Sequence, residues 1–494
     1  MTRVLNEVEP AEIRGDPGGV DIRSVELDSR RVLPGALFCC VPGHRTDGHA
    51  FAGEAVERGA VAVLCEHLVD VDVPQARVEQ GGVRRAMAAA AAALHGHPAR
   101  RLQLVGITGT DGKTTVAAMV AAILDDAGRP AGVIGTLQGE RTTPEAPVVQ
   151  ERLAHFVEEG REAAVMEVSS HALAEGRVEG LRFDVAAFTN LSHDHLDYHG
   201  TMEAYFEAKA SLFGADRARC AVIDVDDPWG RRLAHRLAAQ ATTELPVVPV
   251  SMDEIDGLEL RIDGSRFSWR GRPVRLRQPG RFNVANALVA AAVASCLGVD
   301  DRDVVAGLAS CPVVPGRMEI VESGPPLTAI VDFAHTPRGL EQLLDAVAEL
   351  RHGGRVLCVF GAGGDRDREK RPVMGGVAAR SADVVVVTTD NPRHEDPREI
   401  IGEILAGIPD GCDVVVEPDR RRAIALAVDR AEPGDVVIVA GKGAETAQAV
   451  GDALLPFDDR VEVAAALARR GALSRGALSP VTGRAGPDGP GGAP

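Results

Sequence analysis

Residues 105–115 read VGITGTDGKTT, an apolar strand that runs through a glycine-rich turn into a helix. The backbone N–H groups of such a turn converge on polyphosphate oxygens, Lys113 supplies a positive charge, and the Thr114 hydroxyl can bind Mg²⁺. The turn has Ile107 where the general phosphate-binding loop has glycine, so this loop is an atypical version. The sequence therefore predicts a site for ATP or GTP. Its loop residues are Gly109, Thr110, Asp111, Gly112, Lys113, Thr114 and Thr115.

Short apolar and β-branched runs alternate with alanine-rich helical stretches along the chain. Examples are AAVMEV at 163–168, DVAAFTN at 184–190, RVLCVFG at 355–361, DVVVVTT at 383–389 and DVVIVAG at 435–441. Continuous apolar strands separated by helices indicate parallel sheets that helices cover on both faces. The predicted fold class is therefore α/β, with mostly parallel sheet around the phosphate loop.

The length of the chain indicates several domains. A chain of 494 residues exceeds what one hydrophobic core supports and predicts about three domains. We place them at 1–98, 99–313 and 314–470, because an alanine-rich helix closes the first segment and CPVVPGR closes the second. Residues 471–494 become rich in Gly and Pro, and we expect a disordered tail there.

Composition argues against several classes of protein. The net charge is −18 and only 3% of residues are aromatic, which argues against a nucleic-acid partner. The chain contains no long apolar run and no signal peptide, so we expect a cytoplasmic protein that does not insert into membranes. The 8 scattered cysteines form no C-x-x-C pair, which argues against structural zinc and a disulfide framework.

Carboxylates and imidazoles follow the next strands. Glu167 ends the strand of MEVSSH, where its carboxylate can share a Mg²⁺ ion with Thr114. The following strand leads into a dense group of potential ligands, which are His193, Asp194, His195, Asp197 and His199. This density suggests a second metal position, although we expect at least two of the histidines to be structural or exposed, and Asp194 is also suited to cap a helix. Lys209 by itself has the pattern of an exposed helix residue.

Charged residues also follow three strands of the C-terminal part. The segments are FGAGGDRDREKRP at 360–372, TTDNPRHEDP at 388–397 and AGKGAE at 440–445. The carboxyl ends of parallel strands meet at one edge of a sheet, so these groups are expected to converge on one crevice, with solvated loops as the alternative. The basic residues of the first segment suit a carboxylate or phosphate, and they are Arg366, Arg368, Lys370 and Arg371.

A series of ordered blocks resembles the Mur ligases of peptidoglycan synthesis. The blocks are TGTDGKTT at 108–115, MEVSSH at 166–171, TNLSHDHLDYHG at 189–200, EAK at 207–209, GRFNVANALVA at 280–290, PGRME at 315–319, DFAHTP at 332–337, FGAGGDRD at 360–367 and DNPRHEDP at 390–397. DNPR marks the subgroup that adds diaminopimelate and not lysine. The resemblance implies a UDP-sugar domain, a central ATPase with a phosphate loop, and a C-terminal Rossmann-like domain for the incoming amino acid.

The resemblance also implies roles for individual residues. Thr114 and Glu167 correspond to ligands of one Mg²⁺ ion, and His195 corresponds to a ligand of a second ion together with Lys209 as a carbamate. The implied catalytic residues are Lys113, Glu167, His195 and Lys209. Further nucleotide contacts are Asn283, Asn286, Arg317, Asp332 and His335. The UDP-sugar residues are Ser29, in the uridine block 26–43, with Thr142, Thr143, Ser169 and Arg177. The amino-acid residues are Arg366, Asp390, Asn391, Arg393, Gly441 and Glu445.

The implied reaction is amide formation driven by ATP. The γ-carboxylate of D-Glu in UDP-MurNAc-L-Ala-D-Glu takes the γ-phosphate of ATP, and the amine of diaminopimelate then displaces phosphate from the acyl phosphate. Arg366 and Arg393 can pair with the second carboxylate of diaminopimelate, which lysine lacks. Glu445 is suited to take the distal ammonium. We expect the enzyme to act as a monomer on these small molecules.

Several positions depart from the family pattern without changing an implied metal ligand. They are Asp111 for Asn, Glu175 for Gln, His193 for Arg, Phe333 for Tyr and Ala444 for His. Asp111 and Ala444 favour one alternative, a Mur-type ligase with a different acceptor such as L-lysine or a natural-product amine. An enzyme like folylpolyglutamate synthetase leaves DNPR and the uridine block unexplained. A degenerate nucleotide-binding scaffold is the non-enzymatic alternative, and the retained ligands argue against it.

Overall fold

The fold was analysed in a computed structural model of the chain. The described residues are 1–43, 46–139, 141–239, 245–321, 327–351 and 353–477, without the side chains of 2, 3 and 472–477. The chain divides into two compact units, Met1–Val314 and Pro315–Pro494. The sheets are mostly parallel and alternate with helices along the chain, so the predicted α/β class is confirmed.

A five-stranded sheet forms the N-terminal part of the first unit. Its strands are β1 Glu12–Arg14, β2 Ser24–Glu26, β3 Ala36–Cys39, β4 Ala60–Cys65 and β5 Gln75–Arg77, with helices α1 Thr2–Val8, α2 Ala52–Glu57 and α3 Val83–Leu94. The strand order is β1-β5-β4-β3-β2, and β1 is the antiparallel member. The alanines of α3 allow it to lie close to the sheet, where Ala90 and Ala91 are fully buried.

The phosphate loop lies in the middle of a second, six-stranded sheet. Its strands are β6 Gln103–Thr108, β7 Ala131–Ile134, β8 Ala163–Glu167, β9 Val185–Phe188, β10 Ala221–Asp224 and β11 Val247–Val250. The order is β11-β10-β9-β6-β8-β7, and the strand pairs are parallel. Val105 and Ile107 belong to one core and Leu104 to another, so helices cover both faces, as the apolar run predicts.

Helices and a small antiparallel sheet complete this unit. The helices are α4 Lys113–Asp126, α5 Ala146–Glu158, α6 Ser170–Ala174, α7 Leu196–His199, α8 Met202–Ala210, α9 Pro228–Ala239, α10 Arg281–Cys296 and α11 Asp301–Ser310. The antiparallel strands are β12 Ile255–Arg261, β13 Gly264–Trp269 and β14 Arg272–Leu276. Helices α4 and α10 pack together over the sheet, and Val116, Val120 and Val284 are fully buried in their shared core.

The second unit has its own six-stranded sheet. The strands are β15 Glu319–Val321, β16 Thr328–Asp332, β17 Val356–Phe360, β18 Val384–Val387, β19 Val414–Val416 and β20 Val436–Ala440, with a hairpin of β21 Ala447–Val450 and β22 Ala453–Pro456. The order is β15-β16-β20-β17-β18-β19, in which β15 runs antiparallel to its neighbour. The helices are α12 Pro337–Leu350, α13 Lys370–Ser381, α14 Pro397–Leu405, α15 Arg420–Arg430 and α16 Asp459–Ala477.

Helix α16 enters the segment 471–494 for which the sequence predicts a disordered tail. Its Val463 and Ala466 are buried in the core of the second unit. The Ala, Leu and Arg residues that follow favour continued helix as far as Ala477, before the Gly and Pro content rises. Residues 478–494, the remainder of the predicted tail, lie outside the described residues.

The remaining helical segments are single 3₁₀ turns. They are Ser29–Arg31, Gly48–Phe51, Pro98–Arg101, Thr136–Gln138, Ser211–Phe213 and Met252–Glu254. In the part of the chain that the structure describes, no helix combines the length and apolar character needed to cross a bilayer.

A buried ion pair joins α15 to α16. The Arg420 Nη2 and Asp459 Oδ2 atoms are 2.7 Å apart, and both side chains have 0% exposure. Arg420 also donates hydrogen bonds to the carbonyl oxygens of Thr389 and Ala440 at 3.2 and 2.9 Å. These carbonyls lie at the ends of β18 and β20, so one guanidinium fixes two strand ends that carry predicted site residues.

Replacing Arg420 with Met should strongly destabilise the second unit. The substitution leaves the Asp459 carboxylate buried without its cation, which costs about 3–5 kcal/mol of unfolding free energy. Urea denaturation followed by circular dichroism measures the change. The matched control is Arg421→Met, because the Arg421 side chain is 59% exposed in its pair with Glu462 and its loss should cost less than about 1 kcal/mol. Equal effects of the two substitutions would contradict the assignment.

Candidate active site

The turn after β6 requires glycine at two positions. Gly109 and Gly112 have φ angles of +151° and +86°, which residues with a Cβ rarely adopt. A Cβ on Gly109 would collide with Oγ1 of Thr189, and a Cβ on Gly112 would collide with Oδ1 of Asn286. The turn is therefore held between the end of β9 and the first turns of α10, with its amides at the N-terminus of α4.

Lys113 folds back over this turn. Its Nζ atom donates hydrogen bonds to the carbonyl oxygens of Gly109 and Thr110 at 2.9 and 2.7 Å. The backbone of Asp111 is fixed by Asn190, whose Oδ1 accepts from the Asp111 N–H at 2.9 Å. Oδ2 of Asp111 is buried and has no hydrogen-bond partner among the described residues. The ammonium thus lies inside the loop in which polyphosphate oxygens are predicted to bind.

Glu167 lies beside the first turn of α4. Thr114 Oγ1 donates a hydrogen bond to Glu167 Oε2 at 2.9 Å, and the Thr136 N–H donates to Oε1 at 2.8 Å. The Glu167 side chain is buried, although a lone strand-end glutamate is usually solvated. The structure therefore brings together two oxygen ligands of the kind that Mg²⁺ prefers.

Lys209 is buried, so the expectation of an exposed helix residue was wrong. Its Nζ donates to the carbonyl oxygen of Gly109 at 2.7 Å and lies 4.7 Å from the ring centroid of Tyr205. Burial, reinforced by the positive charge of Lys113, holds the pKa of the Lys209 amine well below its usual value. Helix α8 buries Lys209 together with Tyr205 and Phe206, and the lysine amine reaches the backbone of the phosphate loop from this face.

His195 lies at the start of the short helix α7 in a left-handed conformation with φ of +55°. Its Nε2 atom is 3.4 Å from Oδ2 of the buried Asp194. His195 itself occupies the N-cap position of α7, and the Asp194 carboxylate contacts its imidazole. His193 is partly exposed and Asp197 is exposed.

Aromatic rings surround His195. The group consists of His171, His195, Tyr198, His199 and Tyr205. His199 shares a 2.9 Å hydrogen bond with the Ser170 hydroxyl, and burial, with smaller effects of His171 and Lys209, lowers its pKa to about 4. Sequence reasoning did not identify His171 or Tyr205. The signal for Tyr205 was its spacing of four residues before Lys209, which places both on one helix face.

The implied UDP-sugar residues fall in two places of the first unit. Ser29 lines a cleft of about 1470 Å³ and donates a 3.0 Å hydrogen bond to Glu54. Thr143 lies beside Glu167, because its hydroxyl donates to the Glu167 carbonyl oxygen at 2.9 Å and accepts from the Ser169 N–H at 3.0 Å. The Thr142 hydroxyl is 3.1 Å from that of Thr136, which also contacts Glu167.

Three arginines meet on one carboxylate at the wall of this cleft. Glu145 pairs with Arg84, Arg141 and Arg177 at 3.2, 2.7 and 3.1 Å. Arg177 also donates to the Thr143 carbonyl oxygen at 3.0 Å. It pairs with Glu175, whose pKa is lowered by Arg177 despite its partial burial. The guanidinium groups outnumber the carboxylates, which makes this wall suitable for an anionic ligand.

The second unit gathers the other implied nucleotide contacts at the end of β16. Asp332 accepts hydrogen bonds from the backbone N–H groups of Met318 and Ala334, both at 2.7 Å. The Arg317 guanidinium lies 4.3 Å from the ring centroid of Phe333, and the His335 ring lies 4.7 Å from the same ring. Phe333 thus contacts both side chains without the hydroxyl of the usual Tyr.

The charged strand ends of this unit meet as predicted. Lys442, fully buried, donates hydrogen bonds to Asn391 Oδ1 at 3.0 Å and to Glu445 Oε2 at 2.8 Å. Gly441 has a φ of +120°, and a Cβ there would collide with Oδ2 of Asp390. Lys442 was not among the residues assigned to the amino-acid site, although it stands inside the AGKGAE block.

The basic turn after β17 contains a buried arginine and contacts the segment after β18. Arg371 is fully buried and pairs with Glu395 and Glu403, so its expected availability to a ligand was wrong. Arg393, from the segment after β18, donates to the Gly364 carbonyl oxygen of this turn at 2.6 Å. Burial and the nearby positive charge of Arg366 lower the pKa of the Arg393 guanidinium. The two guanidinium groups therefore lie near one another.

Replacing Gly112 with Ala should impair nucleotide binding. The added Cβ meets Asn286 at a backbone conformation that alanine disfavours, so the turn must shift away from the phosphate position. We expect a loss in ATP affinity of about tenfold or more, which equals about 1.4 kcal/mol. Isothermal titration calorimetry measures it. The control Gly128→Ala, with φ of +73° and nothing within 4 Å of the added Cβ, carries similar strain and should leave ATP affinity unchanged.

Comparisons with known proteins agree with this geometry. Family models described as the Mur ligase catalytic domain, middle domain and glutamate ligase domain match residues 21–107, 107–294 and 316–443. A UDP-N-acetylmuramoyl-L-alanyl-D-glutamate--2,6-diaminopimelate ligase of Geobacillus kaustophilus is 44% identical over 481 residues, covering 92% of this chain and 96% of the relative. The ligase of the same name from Gloeobacter violaceus is 45% identical over 468 residues, covering 91% and 95%.

A solved structure supports the same relationship. A UDP-N-acetylmuramoyl-L-alanyl-D-glutamate--2,6-diaminopimelate ligase superposes with a TM-score of 0.64 at 32% identity, covering 94% of this chain and 99% of its own. The predicted resemblance is thus confirmed in sequence and in fold. The chain belongs to the Mur ligase family.

Proposed function

We propose that this chain is an ATP-dependent ligase that joins diaminopimelate to the γ-carboxylate of D-Glu in UDP-MurNAc-L-Ala-D-Glu. The names of its relatives support this substrate pair. The observation that carries the proposal is the hydrogen bond of Thr114 to Glu167. The phosphate loop that precedes Thr114 also contacts the buried Lys209. That arrangement combines phosphate binding with a set of metal ligands next to one another.

The proposed reaction uses ATP because a carboxylate and an ammonium ion neutralise each other without forming an amide. An oxygen of the γ-carboxylate attacks the γ-phosphorus of ATP, and the bond to the β-phosphate oxygen breaks to release ADP. The neutral amine of diaminopimelate then attacks the acyl carbon. The tetrahedral intermediate expels phosphate and the amine loses a proton, which leaves the amide.

The residues of the chain act in this reaction through charge and position. Lys113 and the loop amides hold the β- and γ-phosphates and balance the charge that develops during transfer. The arginine-rich wall around Glu145 is suited to the anionic UDP-sugar, with Ser29 at the uridine and Arg177 at the peptide end. Asn283 and Asn286 of α10 lie beside the loop, where the adenine is proposed to bind.

The side chains near Thr114 fit two Mg²⁺ ions. Thr114 and Glu167 would hold the first ion, and His195 with Lys209 would hold the second. Burial lowers the pKa of the Lys209 amine, and an amine in its neutral form can add carbon dioxide and lose a proton, which would convert Lys209 to an anionic carbamate ligand. Bound Mg²⁺ supplies positive charge beside the phosphates.

The second unit is proposed to select the amino acid. Arg366 and Arg393 are suited to the second carboxylate of diaminopimelate, and this feature separates it from lysine. Glu445 already pairs with Lys442, so the distal ammonium would join this pair and Asn391. Asp390 and Gly441 complete the site by fixing the ends of β18 and β20.

The domain limits 1–98, 99–313 and 314–470 are part of the proposal. The matches at 21–107, 107–294 and 316–443 support a division near these positions. We also propose that the enzyme works as a cytoplasmic monomer, since its substrates are ATP, a nucleotide sugar and a free amino acid.

The function is tested by phosphate release from ATP with purified protein, Mg²⁺, UDP-MurNAc-dipeptide and a panel of amino acids. We expect turnover only when the dipeptide and an amine are both present, with diaminopimelate preferred over lysine. Lys113→Ala should lower turnover at least about 1000-fold, because it removes the charge that faces the transferred phosphate. Activity within tenfold of the unmodified enzyme would refute the role of Lys113. Preference for lysine or another amine would refute the proposed acceptor.

Lys209→Ala should lower turnover at least about 100-fold, because it removes the proposed carbamate. Acetate, a small carboxylate that can enter the vacated space, should restore part of the activity. The matched control is Lys113→Ala, which acetate cannot rescue because that variant lacks a cation. NMR of protein equilibrated with ¹³C-bicarbonate should show a carbamate carbon that is absent from Lys209→Ala. Unchanged turnover without Lys209 would sink the carbamate assignment.

A further inference from the structure

Two cysteines of the first unit face each other away from the phosphate loop. Cys220 immediately precedes β10, Cys296 is the last residue of α10, and their Sγ atoms are 3.3 Å apart. Both are partly exposed, whereas most of the other cysteines are buried. The buried ones are Cys39, Cys40, Cys65, Cys311 and Cys358, and Cys412 is a third partly exposed thiol.

The surroundings of the pair favour a thiolate at Cys220. The hydrogen bond between the two thiols lowers the pKa of Cys220, since the proton left on Cys296 stabilises the Cys220 thiolate. The same hydrogen bond and burial raise the pKa of Cys296, against a smaller opposing effect of the Arg270 guanidinium, which pairs with Asp301 at 2.8 Å. Burial instead raises the pKa of the Cys311 thiol to about 11 and that of Cys358 to about 12. Peroxides react with thiolates, so their reaction should be selective for this pair.

We propose that Cys220 and Cys296 form a reversible disulfide when the protein meets hydrogen peroxide or an organic hydroperoxide. The Cys220 sulfur attacks a peroxide oxygen and the O–O bond breaks, which forms a sulfenic acid and releases water from hydrogen peroxide or an alcohol from an organic hydroperoxide. The Cys296 sulfur then attacks the sulfenic sulfur, and its proton leaves with the hydroxyl group as water. Two thiols are oxidised and one peroxide is reduced. The sulfur atoms need to approach by only about 1.3 Å to reach bonding distance.

The cross-link would connect the start of β10 to the end of α10. Asn286, which lies against Gly112 of the phosphate loop, and Asn283 are near the other end of α10, about 15 and about 20 Å from Cys296 along the helix. The disulfide closes the chain between Cys220 and Cys296 into a loop, which restricts the conformations of the unfolded state. It has less effect on the phosphate loop in the folded state. We therefore expect the oxidised protein to be more resistant to heat and to bind ATP as before.

The test oxidises the reduced full-length protein with one equivalent of hydrogen peroxide. Free thiols are then alkylated under denaturing conditions, and a tryptic digest without reductant is analysed by mass spectrometry. We expect a cross-link between peptides 220–231 and 282–302, each of which contains a single cysteine, and a fall of two alkylated thiols from the initial 8. The thermal midpoint should rise by about 2–4 °C. Dithiothreitol should reverse both changes.

Variants separate this pairing from general oxidation. Cys220→Ser and Cys296→Ser should each abolish the cross-linked peptide and the thermal shift, whereas Cys412→Ser, which removes another partly exposed thiol, should retain both. Sulfinic or sulfonic acid on Cys220 without the cross-link would overturn the proposal. A thermal shift that persists in Cys220→Ser, or a thiol loss spread over all cysteines, would overturn it as well.

Discussion

The predicted metal site of the first unit depends on the hydrogen bond between Thr114 and Glu167. It exists because β6 and β8 are parallel neighbours, so the loop that ends one strand and the carboxylate that ends the other leave the same edge of the sheet. Glycine at positions 109 and 112 lets the turn approach β9 and α10 closely enough to stay beside that carboxylate. Lys113 and Lys209 then reach the same loop from two different helices.

The protein treats buried cations in two ways. Arg420 is matched by Asp459 and by two backbone carbonyls, so its charge is balanced and its role is to hold strand ends together. Lys209 is also buried, but its closest contacts are a carbonyl oxygen and an aromatic ring. A buried amine whose pKa is lowered in this way costs stability, and such groups tend to mark functional sites.

Local sequence patterns were sufficient for the sheets and the phosphate loop, because apolar runs and the spacing of Gly, Lys and Thr report directly on backbone geometry. They were insufficient where tertiary contacts decide. Lys209 sits in a helix with no clear apolar stripe, and its burial depends on a loop about a hundred residues earlier in the chain. The sequence predicts Arg371 as part of an anion site, but in the fold this arginine is buried in ion pairs with Glu395 and Glu403, which come later in the chain. The roles of the site residues remain predictions that rest on resemblance.

Anionic substrates must bind here to a protein whose net charge is −18. At physiological salt the screening length is about 8 Å, so distant carboxylates contribute little at a binding cleft. Nearby guanidinium groups contribute much more. Arg84, Arg141 and Arg177 converge on Glu145, which holds them in place while leaving an excess of positive charge at the cleft wall. Affinity for the proposed nucleotide sugar would therefore depend on this local excess, and the overall acidity would act mainly on the rate of encounter.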